Sequence, residues 1–461
     1  MLSLALIPTG VLIAVILFLD IKLGYYLVAL TLPFSINLPI SFLHITLNVP
    51  LEPLLLFLSI TTIYQIALKG MAIAYIKQPL SILFICFTTL LLLSSLFSTQ
   101  ILVSLRMCIQ TLAYIIPAYW GILFLSRNDT TFIRNILLIP LISFSIICFI
   151  NFIRHSTHYF DRSYAVSMAQ PFYSDHTIYA TMAALMIPIA FTFMLWYFGK
   201  SFIKVLLFGT LFILSSSGLI LSYSRAAILS ILIAFGLYLF IRLKLSWWIF
   251  VIFLGIALLY TVSHQDSLMM SLKRNQTESK TRKTNLSNQV KSITNVNNDV
   301  SNLERINRWK SAIRMIEEKP YLGFGYGMYQ YEYFPYQKES ETTEISIRNP
   351  QAKYMSGTGG TAHSEYLLLT SENGLFCGIT YIALLITSIV LSVKNIRSIP
   401  TNNVYYYVSI GIVMSITTYI VHGCFNNFLD TAKINVIFFA LLASISSISV
   451  QLTDSKNSIS I

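Results

Sequence analysis

One histidine lies where a long polar segment of the sequence ends and an apolar segment begins. His363 follows a small, flexible run from Gly359 to Thr361, and apolar residues begin at Leu367. Imidazole is the side chain best matched to proton transfer near neutral pH. The position makes His363 a candidate general base, although an ordinary residue at the start of a helix would fit the same place.

Several arginines could bind an anion near this histidine. Arg225 lies between two apolar segments, and Arg305 and Arg308 are about one helical turn apart, so both project near one face. A guanidinium group pairs bidentately with phosphate oxygens. The alternatives are an Arg225 side chain that extends to lipid headgroups and a solvated helix face for the other two.

The acidic residues and the remaining motifs narrow the chemistry. Glu365 and Glu372 lie in the segment that His363 precedes, but Glu372 is nine residues further on, too far along a helix for direct contact. It could instead orient another part of the site or cap a loop. No histidine pair has metal-ligand spacing, and the glycines at 323–327 lack the lysine of a phosphate-binding loop. We therefore expect no metal, no cofactor and no P-loop.

The elements that position these residues must be membrane helices. The chain has 461 residues, of which 55% are hydrophobic and 11% charged. Apolar runs recur nearly end to end, which predicts an all-α polytopic membrane protein with about 12–13 transmembrane helices. The predicted segments are 2–19, 24–43, 51–68, 80–97, 101–125, 132–153, 176–198, 203–222, 226–241, 246–263, 365–392, 404–424 and 434–450.

Basic residues divide the connections between these segments into two sets. Short connections rich in lysine and arginine belong on the cytoplasmic side by the positive-inside rule. The other face then receives the long loop 264–364 with His363, the turn at Arg225, residues 154–175 and residues 422–433. The net charge of +12 therefore does not indicate nucleic acid. Arginines on the face that this rule depletes indicate an anionic ligand such as a diphosphate.

The chain divides into three parts. Residues 1–263 form an N-terminal helix bundle, residues 264–364 form the large extracytoplasmic loop, and residues 365–461 form the C-terminal membrane helices. An amphipathic helix is predicted near 304–318 within the loop and is stopped by Pro320, with a tight turn at the glycines that follow. Its apolar positions are Ile306, Trp309, Ile313 and Ile316.

Four stretches of the sequence resemble the O-antigen ligase and Wzy-type polymerase superfamily of bacterial envelope glycosyltransferases, and they occur in the order that the superfamily has. Each looks like a signature of that superfamily, and Ser364 stands where the family more often has asparagine. The stretches are 172–180 with Pro188, 224–226, Arg305 to Trp309 with Pro320 and the glycines at 323–325, and Ala362 to Leu367 with residues 372–374.

The resemblance implies a fold related to the C-type glycosyltransferases. It implies inverting, metal-independent transfer of a finished glycan from undecaprenyl diphosphate to an acceptor hydroxyl, with membrane lipids around it and no nucleic acid. The acceptor would be lipid A-core or another glycan or protein, on the periplasmic face of the bacterial inner membrane. By this resemblance His363 is the catalytic base, and Arg225 and Arg305 neutralise the diphosphate. Arg308 and Arg162, as further cations on the same face, complete the predicted diphosphate-binding set. Glu372, Tyr366 and Asp175 are predicted as supporting residues.

Three other functions stay open at this point. A Wzy-type polymerase and a protein O-oligosaccharyltransferase differ from the ligase only in the acceptor. A polysaccharide transporter or flippase belongs to another class and predicts charged or broken segments near the bilayer midplane, with repeat symmetry. The clearest charge within a span is Arg106, near the end of its segment, and no repeat is visible. These patterns weigh against the transporter, and the O-antigen ligase is the preferred prediction, with the other two acceptors left open.

Overall fold

The computed structural model describes residues 20–40, 45–127, 129–244, 300–338, 341 and 360–459. These residues are almost entirely helical. A π-helical turn at Ile116–Gly121 joins the helix Ile101–Ile115 to the helix Ile122–Ser126. In chain order the elements are α1 (Ile21–Thr31), β1 (Ile36–Ile40), β2 (Ile45–Val49), α2 (Leu51–Lys69), α3 (Ile73–Ile76), α4 (Pro79–Leu96), α5 (Ile101–Ile115), α6 (Ile122–Ser126), α7 (Thr130–Ser156), α8 (Ala165–Met168), α9 (His176–Tyr197), α10 (Phe202–Leu221), α11 (Arg225–Arg242), α12 (Val300–Glu318), α13 (Tyr329–Glu332), α14 (Glu365–Ser398), α15 (Val404–Gly423) and α16 (Ala432–Ile459).

Within this part of the chain, ten helical spans are long and apolar enough to cross a membrane. The predicted all-α polytopic membrane fold is confirmed. Helices α9, α15 and α16 are buried inside the bundle, whereas α10 and α11 expose most of their surface. The ten spans are α2, α4, α5 with α6, α7, α9, α10, α11, α14, α15 and α16.

One predicted span, 24–43, is wrong as a single helix. Helix α1 ends at Thr31, and β1 and β2 form an antiparallel hairpin instead. Pro33 and Pro39 explain the difference, because proline lacks an amide hydrogen and disfavours helical geometry in the residue before it. The segments predicted at 2–19 and 246–263 lie outside the described residues.

The loop helix α12 begins at Val300 and ends before Pro320, which extends the predicted helix 304–318 by four residues at its start. The turn that follows enters a break in α14. Gly374 has a φ of 81°, and the next amide, that of Leu375, donates a hydrogen bond of 2.7 Å to the Pro320 carbonyl. A Cβ on Gly323 would lie 2.3 Å from the Glu372 carbonyl oxygen, so only glycine fits this approach.

The membrane helices alternate in direction, and one end of the bundle gathers the turns that carry the candidate residues. We call it the site end; it includes the starts of α9, α11 and α14. The Ser94 hydroxyl donates to the Glu372 carbonyl at 3.0 Å, and the Glu365 amide donates to the Asn426 carbonyl at 3.1 Å. The far end is the opposite one, where α9 and α11 finish and α15 begins. This arrangement positions the site described next.

Candidate functional site

His363 is held in a strained backbone conformation immediately before α14. Its φ of 50° lies in the left-handed region, which costs about 1–2 kcal/mol for a residue other than glycine. Its amide donates to Thr361 Oγ1 at 3.4 Å, and its carbonyl accepts from Trp309 Nε1 at 3.3 Å. The next residue, Ser364, caps α14. Contacts on both sides therefore fix the half-buried histidine at the mouth of the bundle.

Arg308 connects the loop helix to the segment that carries this histidine. Its Nε donates to Glu304 Oε1 at 2.9 Å, and its Nη1 donates to the Thr361 carbonyl at 3.0 Å. The guanidinium carbon lies 5.2 Å from the centroid of the Tyr333 ring. Arg308 is buried and surrounded by protein groups. It fixes the position of α12 over the chain just before His363.

The electrostatic environment keeps His363 neutral. The pKa of His363 is lowered to about 4, chiefly by burial and also by the positive charges of Arg308 and Arg305, and Glu304 and Asp175 partly oppose this shift. A neutral imidazole at physiological pH can accept a proton. The structure thus brings Arg305, Arg308, Asp175 and His363 into one electrostatic group.

Asp175 belongs to this group from the start of α9. It caps the helix by accepting a hydrogen bond from the Thr177 amide at 2.7 Å, and its Oδ1 lies 3.1 Å from His176 Nδ1. Burial raises the pKa of Asp175, but the bonds from His176 and Thr177 outweigh burial, and the net shift is downward. Asp175 therefore remains ionised near His363.

Two predicted supporting residues lie on α14, and their side chains hydrogen-bond to backbone groups of other segments. Glu372 is buried, and its Oε1 accepts a hydrogen bond of 3.0 Å from the Tyr329 amide. The Tyr366 hydroxyl donates to the Ile420 carbonyl at 2.8 Å, which joins α14 to α15. Of the two roles considered for Glu372, the structure favours capping of a loop.

Arg225 and Arg162 lie at the same end of the bundle, at the start of α11 and in the loop after α7. Arg225 is the first residue of α11 and is half-buried. Arg162 is exposed in a short 3₁₀ turn at Arg162–Tyr164, and its charge acts on the hydroxyl of Tyr223. That hydroxyl donates to the Phe160 carbonyl at 2.9 Å, so the loop after α7 packs on the turn before α11.

Sequence reasoning placed residues 422–433 on the same face as His363 but did not predict that this turn, between α15 and α16, contacts the segment before the histidine. Asn427 Oδ1 accepts a hydrogen bond of 2.6 Å from Thr361 Oγ1, two residues before His363. Asn427 Nδ2 also donates to Asp430 Oδ2 at 3.1 Å. The carboxylate of Glu365 accepts from the amides of Phe428 and Leu429. The polar residues of this turn are visible in the sequence, but no local pattern pairs them with Thr361.

No group of three or more histidine, cysteine, aspartate or glutamate side chains within the described ranges could hold a metal ion. The chemistry available there is that of a neutral imidazole, arginine cations and ordered backbone. These groups suit acid–base chemistry beside an anionic leaving group.

The fold and site together define a polytopic helical membrane protein in which the loop helix α12 packs against one end of the bundle. Residues 210–382 match the family model described as O-antigen ligase, Wzy_C. The chain therefore carries this domain, and the resemblance that the motifs predict is confirmed. The matched region contains Arg225, Arg305, Arg308 and His363. A search of curated proteins gives no match.

The family match supports a coarse description of the activity. The ten apolar spans make the chain a multi-pass membrane protein, and residues 210–382 are similar to a family that ligates or polymerises glycans. That family implies a glycan donor and an acceptor in a membrane setting.

Proposed function

We propose that this protein is an O-antigen ligase. It moves a preassembled glycan from undecaprenyl diphosphate to a hydroxyl of lipid A-core, at the periplasmic face of the bacterial inner membrane. The observation that carries the proposal is His363, held neutral beside Arg305 and Arg308 at the mouth of a bundle that carries the O-antigen ligase domain. A donor with a diphosphate leaving group needs a base and positive charge, and both are present.

In this mechanism His363 is the general base. It accepts the proton of the acceptor hydroxyl while the acceptor oxygen forms a bond to the anomeric carbon. The bond from that carbon to the diphosphate breaks, and undecaprenyl diphosphate leaves. Attack from the face opposite the leaving group inverts the anomeric centre. No step requires a metal or a cofactor, because the diphosphate is already an activated leaving group.

The arginines divide between two tasks. Arg308 is committed to Glu304 and to the Thr361 carbonyl, so its main task is to position the segment before His363. Arg225 and Arg305 are half-buried rather than buried, and we assign them to the diphosphate. Arg162, which is exposed, adds positive charge at the approach to Arg225. Each charge-assisted contact to phosphate would contribute about 1.5–3 kcal/mol.

The donor would also strengthen the base. In the free protein the charges of Arg305 and Arg308 help to hold the pKa of His363 near 4, where imidazole is a weak base. A bound diphosphate brings negative charge to the same arginines and offsets their effect on the histidine. The pKa of His363 then rises, so that proton abstraction is favoured only when the donor is present.

The remaining residues support this centre. Asp175 lowers the cost of the imidazolium that forms, because its negative charge acts on His363. Glu372 holds the turn at Tyr329, and Tyr366 ties the first turn of α14 to α15.

A deletion strain tests the proposal through its surface glycans. Unmodified lipid A-core together with accumulated lipid-linked O-antigen of full length would support the ligase. A single repeat unit on lipid A-core would replace it with the polymerase. Normal lipopolysaccharide with unglycosylated envelope proteins would replace it with a protein O-oligosaccharyltransferase. Complementation with the wild-type chain and with His363→Ala separates loss of chemistry from loss of the protein.

A further inference from the structure

A cavity of about 260 Å³ opens between α9, α11 and α15 at the far end of the bundle. Helix α9 has 22 residues, so this cavity lies about 30 Å from its start beside His363. The cavity is therefore separate from the proposed transfer site, and no step of the proposed reaction uses it. The side chains that matter for its chemistry are Thr192, Leu195, Tyr238, Arg242, Tyr406 and Tyr407.

The charge at this cavity is one-sided. Arg242 is exposed at the last residue of α11, and its guanidinium acts on the neighbouring Tyr238 hydroxyl. The sequence has no aspartate or glutamate between Asp175 and Asp266, or between Glu372 and Asp430. Helices α9, α11 and α15 all lie within these two stretches. The carboxylate that would neutralise the arginine is thus absent from every helix that forms the cavity, which favours an anion from outside the chain.

The lining indicates which anion fits. Tyrosine hydroxyls and a threonine hydroxyl supply hydrogen bonds around the guanidinium, and guanidinium pairs well with phosphate oxygens. Leu195 and Ile410 add apolar surface to the wall. Tyrosine is enriched at membrane–water boundaries, and basic pockets between membrane helices bind phospholipid headgroups. A phosphate joined to an apolar body matches this mixture better than a free ion does.

We propose that this cavity binds the phosphate headgroup of an anionic phospholipid, held by Arg242 and the tyrosines around it. The inference is independent of the proposed glycan transfer, because it rests on different residues at the other end of the bundle. Binding there would join the ends of α9 and α11 to the start of α15.

The test uses the purified full chain, stripped of lipid and reconstituted in phosphatidylcholine nanodiscs with increasing fractions of phosphatidylglycerol. Native mass spectrometry measures the retained lipid, and thermal unfolding measures stabilisation. We expect Arg242→Gln to weaken the apparent affinity for phosphatidylglycerol about tenfold, which corresponds to about 1.4 kcal/mol. Arg397→Gln is the matched control, because Arg397 is an exposed arginine at the same end that does not line the cavity.

Leu195→Trp gives a second measure that leaves the charge unchanged. The larger side chain would fill part of the cavity and also weaken phosphatidylglycerol binding. Equal retention of phosphatidylcholine and phosphatidylglycerol would overturn the proposal, and so would an equal loss for Arg397→Gln and Arg242→Gln. If inorganic phosphate in pure phosphatidylcholine nanodiscs stabilises the protein as much as phosphatidylglycerol does, the site takes a free ion and the lipid assignment is wrong.

Discussion

The protonation of His363 offers the sharpest test of the proposed mechanism. Its pKa of about 4 lies well below the ordinary value of about 6.5, which corresponds to about 3 kcal/mol in favour of the neutral form. The pH dependence of kcat/KM reports groups of the free enzyme, and that of kcat reports the complex. We therefore expect kcat/KM for the donor to fall only near pH 4. The acid limb of kcat should lie higher, between 4 and 6.5, because bound diphosphate offsets the arginine charges.

Arg305→Gln tests the cause of this difference. Removing one of the two cations that lower the pKa of His363 should move the acid limb of kcat/KM upward, toward that of kcat. Lys310→Gln is the control, since Lys310 lies on the same helix and pairs with Glu341 at 3.5 Å. The assay measures transfer of a lipid-linked glycan to lipid A-core from pH 4 to 8. A wild-type kcat/KM limb near 6.5, or limbs of kcat and kcat/KM that coincide, would refute this reasoning.

The lowered pKa of His363 also makes the stability of the fold depend on pH. The direction of this dependence must be known before the pH dependence of the transfer rate is interpreted. The folded pKa of His363 lies below the unfolded one, so the folded state binds fewer protons between about pH 4 and 6.5. Stability therefore falls as the pH drops through that window, by at most about 3 kcal/mol. Circular dichroism at each pH separates titration of the base from unfolding.

Four further predictions follow from the site. Gly360→Ala should lower transfer at least tenfold, because Gly360 has a φ of 80° and its new Cβ would lie 2.6 Å from Arg308 Nη1; Gly199→Ala, with a φ of 75° and open surroundings, should leave transfer intact. His363→Ala should abolish transfer while a filter assay still detects donor binding. Arg225→Lys should not rescue the donor affinity lost in Arg225→Ala, because lysine cannot pair bidentately with phosphate. Chelator treatment should leave the initial transfer rate unchanged, and a loss that added metal restores would contradict the metal-free mechanism.

The helices and the order of the motifs could be predicted from the sequence, because apolar length and basic connections are local signals. The hairpin after α1 was missed since its apolar residues continue those of the helix, and only Pro33 and Pro39 interrupt them. The pairing of Thr361 with Asn427 was also beyond prediction. It joins residues that are 66 positions apart, and no local pattern specifies such a contact. Helix α12 was predicted to be amphipathic, but the surface on which it packs was not predicted.

The role of Glu372 shows why the loop and the bundle form one site. Its carboxylate holds the Tyr329 amide at 3.0 Å, and the Tyr329 hydroxyl donates to the Arg308 carbonyl at 3.0 Å. Arg308 in turn holds the Thr361 carbonyl, two residues before His363. A buried group in a membrane helix thus reaches the candidate base through the loop rather than along its own helix. A lid that opened freely would have to break this series of bonds, so the contacts favour a loop helix that stays docked while substrates enter beside it.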